Sequence, residues 1–71
     1  MSESIYRVTE VIGTSSESWE AAAKNAVETA ARTLRDLRVG EVVKLDMTIE
    51  DGQVTSYRAR VAISFKYDAG E

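Results

Sequence analysis

The chain of 71 residues contains neither cysteine nor histidine. Disulfides are therefore excluded, and so are the usual zinc ligand sets. A chain of this length buries only about 60% of the surface that its unfolded form exposes, so its own core is marginal. Proteins of this size are usually stabilised by disulfides, a structural metal or oligomerisation. We therefore expect a single domain over residues 1–71 that gains stability by self-association.

Long apolar runs and an excess of basic charge are also missing. No apolar stretch approaches the roughly 20 residues of a membrane span, and residues 1–4 have neither a basic nor an apolar signal region. The net charge is −3, with acidic and basic residues interspersed, unlike the basic stripe of a nucleic-acid-binding protein. These absences favour a cytoplasmic protein with no membrane and no nucleic-acid partner.

The first half of the chain predicts a strand followed by a helix. β-Branched and aromatic residues from Ile5 to Ile12 indicate a strand that ends at Gly13. The S/T-x-x-E pattern of residues 14–17 fits a capping box, which marks the start of a helix. Apolar residues then recur at helical spacing, so we predict a helix that ends near residues 36–37.

The apolar stripe of this helix is rich in alanine. It consists of Trp19, Ala23, Ala26, Val27, Ala30, Leu34 and Leu37. Such a helix can lie close to a sheet, but it buries little area per residue, which again points to neighbouring subunits. Trp19 has two interpretations: packing in the core, or a contact with another subunit or a ligand.

Two long strands follow the helix. Period-two alternation over residues 39–50 resumes from Tyr57 to Tyr67, and Asp51 and Gly52 between them give a hairpin signal. A two-residue loop would put the two apolar faces on opposite sides of the hairpin. A third loop residue, Gln53, would instead pair Met47 with Tyr57, Leu45 with Ala59 and Val43 with Val61. Because the buried face sets the register, we predict the three-residue turn, with Gly52 at positive φ.

The order strand, helix, strand, strand predicts an α+β fold of the β-α-β-β type, with one helix packed on a three-stranded antiparallel sheet. The second face of this sheet is polar and one edge is unpaired, so we expect other subunits to cover them. The polar face bears Lys44, Asp46, Arg58, Arg60 and Lys66.

Several charged residues are candidates for binding. Glu41 falls on the apolar face of its strand, where an unpaired carboxylate is costly, so we predict that it lies at a subunit interface or pairs with a cation such as Arg60 of a neighbour. Arg58 and Arg60 are suited to intersubunit ion pairs or to anionic ligands. The acidic residues of the hairpin form either a solvated turn or a metal site that several subunits share, because calcium takes six to eight oxygen ligands. These residues are Asp46, Glu50 and Asp51.

Three segments of the sequence resemble the dodecin family, and the resemblance extends over nearly the whole chain. They are Val-Ile-Gly-Thr-Ser at residues 11–15, Ser-Trp-Glu-Ala-Ala at residues 18–22 and Val-Ala-Ile-Ser-Phe-Lys at residues 61–66. This resemblance implies a homododecamer in which the helices lie on the outside of a hollow sphere. Most dodecins bind flavin dimers between pairs of tryptophans at subunit interfaces.

The chain departs from the flavin-binding members at the positions that the resemblance assigns to the flavin. Val39 stands where the stacking tryptophan is expected, and Arg58 follows Tyr57 where those members have a glutamine. Asp46 replaces a basic residue that faces the flavin phosphate in some members, whereas Lys66 keeps the second basic position. Aromatic stacking contributes roughly 0.5–1.5 kcal/mol per pair beyond burial, and valine cannot supply it.

The pattern Arg-Val-x-x-Val at residues 38–42, with Tyr57-Arg58, is similar to the tryptophan-less branch of the family, the calcium dodecins. This similarity implies the same shell with calcium as a ligand. We therefore predict a shell that binds and stores a small ligand or ion, with weak or no flavin binding. The alternatives are a flavin-storing dodecin that takes riboflavin or FMN, and a structural or protein-interaction module. No arrangement of nucleophile and base suggests an enzyme.

Overall fold

The computed structural model describes residues 5–67. These contain four elements: β1 (Tyr6–Ser15), α1 (Trp19–Ala30), β2 (Leu37–Glu50) and β3 (Gln53–Lys66). The strands form one antiparallel sheet in the order β1-β3-β2, and α1 packs on one of its faces. This arrangement confirms the predicted α+β fold. Within the described residues no helix is long and apolar enough to cross a membrane.

The core lies between α1 and the β1–β3 half of the sheet. Its buried members are Ala22, Ala26, Ala30, Ala59, Val61 and Ile63. Two of the three buried sheet residues are therefore β-branched, while the helix contributes only methyl groups. The small core is what the alanine-rich stripe predicted, although Ala22 rather than Ala23 is its most buried helical member.

The predicted end of β1 at Gly13 is wrong, because the strand continues through this glycine to Ser15. Gly13 instead allows the helix to approach the strand. A Cβ at this position would overlap the main-chain oxygen of Ala22 and lie 2.8 Å from the Cβ of Ala26. The glycine is required by close packing between two elements, not by a turn.

The predicted capping box at residues 14–17 is also wrong. Ser18 is the N-cap: its backbone is extended, with φ at −166°, and its Oγ accepts a hydrogen bond from the N–H of Ala21 at 3.0 Å. Ser15, still in β1, accepts instead from the N–H of Glu17 at 2.9 Å. The helix thus begins four residues later than the sequence pattern suggested, since Ser18 can also fill the capping role.

The helix ends at Ala30, not near residues 36–37. Leu34 and Leu37 still pack against the core, but from the connection and from the start of β2. Asp36 has a left-handed backbone with φ at 61°, where the chain changes direction into the strand. Apolar spacing cannot distinguish a helical residue from a loop residue that returns to the same core.

The hairpin has a two-residue turn, so the predicted three-residue turn is wrong. Asp51 and Gly52 both have positive φ, at 51° and 76°, and Glu50 pairs directly with Gln53. This is the backbone conformation that Asp-Gly favours in tight hairpins. Gly52 does occupy a positive-φ position, as predicted.

A β-bulge at Thr55 corrects the register that this short turn would otherwise give. Beyond the bulge Met47 pairs with Tyr57 and Leu45 with Ala59, which confirms two of the predicted pairs. The Oγ1 of Thr48 lies 2.7 Å from the hydroxyl oxygens of both Thr55 and Ser56, so the bulge is held by side-chain hydrogen bonds. The apolar faces are aligned as predicted, but by a bulge instead of a longer loop.

A second bulge, at Val43, reverses the faces on which the side chains before it in β2 lie. Val42, not Val43, pairs with Val61, and the next pair joins Lys44 to Arg60. Because side chains alternate along a strand, Glu41 points away from the helix together with its partner Ala62. The prediction that Glu41 lies on the apolar face is therefore wrong, since the alternation of the sequence is interrupted at Val43.

Candidate ligand site on the distal face of the sheet

The face of the sheet opposite α1, here called the distal face, carries every residue that the family resemblance assigned to the ligand site. On β3 it consists of Ser56, Arg58, Arg60, Ala62, Ser64 and Lys66. Residues that pair with these on β1 and β2 share the same face. Asp46 pairs with Arg58 and Val39 with Ser64, so both lie on the distal face.

Asp46 and Arg58 form a bidentate ion pair across β2 and β3. The distances are 2.8 Å from Nε to Oδ1 and 3.2 Å from Nη2 to Oδ2. The hydrogen bond from Arg58 is the main cause that lowers the pKa of Asp46, against a smaller opposing effect of desolvation; the charge of Arg58 and those of nearby Lys44 and Arg60 add to the lowering. The same pair raises the pKa of Arg58. Both groups are therefore charged at neutral pH, and each neutralises the other.

Arg60 also has a carboxylate partner within its own chain. Its Nη1 donates to Oε1 of Glu10 on β1 at 3.4 Å. Glu10 and Glu41 lie on opposite sides of Ala62, with which both pair, and Lys44 lies opposite Arg60. The centre of the distal face is thus a mixed network of charges. The intersubunit roles of Glu41 and Arg60 stay predictions.

Val39 and Lys66 lie at the other end of the same face. Val39 is 61% exposed, and its carbonyl oxygen accepts a hydrogen bond from Oγ of Ser64 at 3.4 Å. Lys66 is the next distal-face residue on β3, and its main-chain N–H donates to the oxygen of Asp36 at 3.1 Å. No contact links this end to the Asp46–Arg58 pair within residues 5–67, because Val39 and Asp46 are roughly 20 Å apart along the strand.

The four family positions therefore form two half-sites in one chain. Val39 and Lys66 make the first, and Asp46 and Arg58 make the second. A single pocket lined by all four needs more than one chain. In that respect the site resembles an intersubunit site, in which neighbouring copies supply different walls.

The acidic residues predicted as metal ligands are not assembled in one chain. Within the part of the chain that the structure describes, no three acidic side chains are grouped so that they could hold a metal ion. Asp46 is engaged by Arg58, while Glu50 ends β2 and Asp51 lies in the turn. The calcium site that several subunits share stays a prediction.

Glu10 was not recognised from the sequence, and the sequence did not predict the strand that Trp19 contacts. Glu10 lies in a run of β-branched residues, and its place opposite Ala62 follows only from the register of β1 on β3. Trp19 packs on its own sheet, as the core interpretation proposed, but it also donates its indole N–H to the carbonyl oxygen of Asp46 at 2.9 Å. The sequence could have predicted that Trp19 donates a hydrogen bond, because a half-buried indole N–H usually finds an acceptor.

The fold defines a class of small β-α-β-β proteins, and its candidate ligand positions lie on one exposed sheet face. The family model described as Dodecin matches residues 5–68 of the chain. The chain belongs to the dodecin family.

Several relatives support this assignment. The calcium dodecin of Mycobacterium tuberculosis is 41% identical over 63 residues, which is 89% of each chain. Its crystal structure, described as calcium chelating with a novel calcium-binding site, has a TM-score of 0.80 at 39% identity and covers 96% of this chain and 97% of its own. The dodecin of Streptomyces coelicolor has a TM-score of 0.90 at 41% identity, with coverage of 99% and 100%. Dodecin from Thermus thermophilus is 34% identical over 64 residues, 90% of this chain and 93% of that protein.

Proposed function

We propose that this protein is a cytoplasmic homododecameric shell that binds and stores a small ligand or ion, with calcium favoured over flavin. The observation that carries the proposal is the division of the ligand positions into two half-sites on one exposed sheet face. Neither half-site encloses a ligand alone, so binding requires the assembly. The chain has neither histidine nor cysteine for nucleophilic or general acid-base chemistry, which supports binding instead of catalysis.

The shape of the single chain supports self-association. Its accessible surface is 5411 Å², whereas a compact monomer of this mass has about 4,400 Å². Its radius of gyration is 14.8 Å, against about 11 Å for a compact domain of this length. Large apolar side chains are exposed on both faces of the sheet, including Val8 and Val39 on the distal face and Val42 and Leu45 on the other. Exposed apolar area of this extent is typical of a subunit that is covered by its neighbours.

The residues of the half-sites support weak or no flavin binding. Val39 offers no ring for the isoalloxazine to stack on, so the largest contribution to flavin binding is lost. The guanidinium of Arg58 is paired with Asp46 in bidentate geometry, so its charge is already neutralised and attracts a flavin phosphate less strongly.

The carboxylates of the distal face support a cation as the ligand. Carboxylates of β1 and β2 lie on it in each chain, among them Glu10, Glu41 and Asp46. A carboxylate that also contacts an arginine keeps lone pairs for a hard cation, and such cations prefer oxygen ligands. Because calcium takes six to eight of them, symmetry-related chains must combine their carboxylates. The 41% identity to a protein named calcium dodecin supports the same ligand for this chain.

The first test is the mass of the purified protein. Light scattering should report about twelve subunits of 7.8 kDa. A stable monomer at micromolar concentration would contradict the shell.

The second test compares two ligands by calorimetry and fluorescence. Calcium should bind the assembled protein. The purified protein should be colourless, and it should not quench the fluorescence of added riboflavin. Asp46→Asn, Glu50→Gln and Asp51→Asn remove one candidate ligand charge each, and Glu28→Gln on the exposed side of α1 removes the same charge elsewhere. Weaker calcium binding in any of the first three, with parent-like binding of Glu28→Gln, supports the proposal. Tight riboflavin binding without calcium binding would favour the flavin-storing alternative instead.

A further inference from the structure

The hydrogen bond from Trp19 to Asp46 joins the start of the helix to the strand that the helix covers least. Trp19 is the first residue of α1, and its indole N–H donates to the main-chain oxygen of Asp46 at 2.9 Å. The helix otherwise lies over β1 and β3, while β2 forms an edge of the sheet. The bond therefore fixes the backbone of β2 at the residue whose carboxylate binds Arg58.

The same indole contacts the opposing strand at the neighbouring pair. The ring of Trp19 meets the ring of Tyr57 edge-on, with centroids 5.0 Å apart and an interplanar angle of 67°. Tyr57 directly precedes Arg58 on β3, and it pairs with Met47, which directly follows Asp46. The side chain of Trp19 therefore contacts both β2 and β3 from the helix side of the sheet. The ion pair joins the same two strands at the same place on the distal face.

The segment of β2 that contains Asp46 needs a contact that fixes its register on β3. The two strands pair regularly from Lys44 to Thr48, but the register shifts on both sides of this segment. A segment between two bulges can slip if a bulge migrates, and a slip of one residue sends every side chain to the other face. Asp46 and Arg58 would then no longer meet.

We propose that Trp19 is a positioning residue for the Asp46–Arg58 ion pair, which it holds in register from the opposite face of the sheet. The inference rests on the proposed function, since it is there that Asp46 acts as a ligand-site residue with Arg58 as its ion-pair partner. The two contacts of Trp19 have different roles. The hydrogen bond from its indole N–H fixes the backbone of β2, and the contact with the ring of Tyr57 fixes β3 beside Arg58.

The test measures the ion pair itself, without any ligand. Solvent exchange of the Nε–H proton of Arg58, followed by NMR, is slowed while this proton is held by Asp46. Asp46→Asn gives the exchange rate of the unpaired arginine, and the parent protein should exchange roughly two- to fivefold more slowly, as expected for a partly exposed ion pair. Trp19→Phe removes the N–H donor and should bring the rate most of the way to that of Asp46→Asn.

Two further variants separate positioning from general destabilisation. Val27→Ala removes packing from α1 at a distance from the pair and should keep the parent rate. The chain has one tryptophan, so growth with benzothienylalanine replaces the indole N–H by sulfur at this single position and keeps the ring shape. If Trp19→Phe does not fold, this analogue decides the question in its place.

Fast exchange in the Trp19 variants with parent-like Val27→Ala supports the proposal. Parent-like exchange without the N–H overturns it, and so does a parent rate equal to that of Asp46→Asn. The rates of all variants are compared in one assembly state and without calcium, so failure of the protein to bind calcium or to form twelve-subunit particles would contradict the proposed function alone.

Discussion

The two edges of the sheet are stabilised in different ways. β1 pairs with β3 over ten residues without a shift, and the helix lies directly against it at Gly13. β2 pairs with β3 through three register shifts, and its Val42, Leu45 and Met47 are left 38–48% exposed on the helix side. The chain completes one half of its structure by itself, and we propose that neighbouring subunits cover the other half. The candidate ligand residues lie mostly on this second half.

The comparison predicts that alanine lowers the free energy of unfolding much more at a glycine of β1 than at a glycine of β2. Gly13→Ala forces a methyl group into the backbone of α1, so we expect a loss of unfolding free energy at or above the upper end of the roughly 1–3 kcal/mol that overpacking costs. A Cβ at Gly40 on β2 would lie 3.4 Å from Val27 and 3.5 Å from Val61, which is ordinary contact. Gly40→Ala should therefore change stability little. Urea unfolding of both variants tests this, and equal losses would refute the contrast between the two edges.

The next largest effect is expected on assembly. Leu45 is half exposed on the helix side of β2, where we propose that a neighbouring subunit covers it. Leu45→Asp places a charge in that contact, and burial of an unpaired charge is costly, so the mass by light scattering should fall well below twelve subunits. Lys24→Gln on exposed α1 changes the net charge equally and should leave the mass unaltered. A full-size particle for Leu45→Asp would mean that this face of β2 is not an interface.

A smaller effect is expected on the affinity for riboflavin, through Val39 near the start of β2. Val39→Trp restores one ring per subunit, and two rings across a shared pocket at roughly 0.5–1.5 kcal/mol each should raise riboflavin affinity about 5- to 150-fold. Val8→Trp is the matched control, because Val8 flanks Ser64 on the same face from β1. Riboflavin quenching should strengthen for Val39→Trp alone. Equal and negligible quenching in both variants and the parent would show that the pocket no longer admits a flavin.

The smallest effect is the pH dependence of the Asp46–Arg58 pair. The pKa of Asp46 in the folded protein is lowered by Arg58, so the stabilisation is fully present above the ordinary carboxyl pKa of about 3.9 and is lost as the pH falls through the lower folded value. The melting temperatures of the parent and of Asp46→Asn should differ by a constant amount from pH 7 to pH 5 and converge below about pH 4. A difference that grows on acidification would contradict the assigned pKa direction.

Element order, the location of the hairpin and the small core were determined by the sequence alone. Alternation and helical spacing depend on local geometry, in which each side chain is directed by its own backbone. Alanine at Ala26 and Ala30 shows that little can be buried there, whatever the sheet contributes. The parity argument likewise identified the pairs Met47–Tyr57 and Leu45–Ala59 correctly, because a buried face must be continuous across a hairpin.

The bulges, the helix ends and the partners of the charged residues were decided only by the tertiary structure. Thr55 and Val43 are ordinary strand residues in sequence. The bulge at Thr55 on β3 reconciles a tight turn with a continuous core, and a second bulge forms at Val43 on β2. That second bulge moves Glu41 to the distal face. Arg58 meets Asp46, and Trp19 meets its carbonyl oxygen, because residues far apart in the chain are brought together by a register that no local pattern encodes.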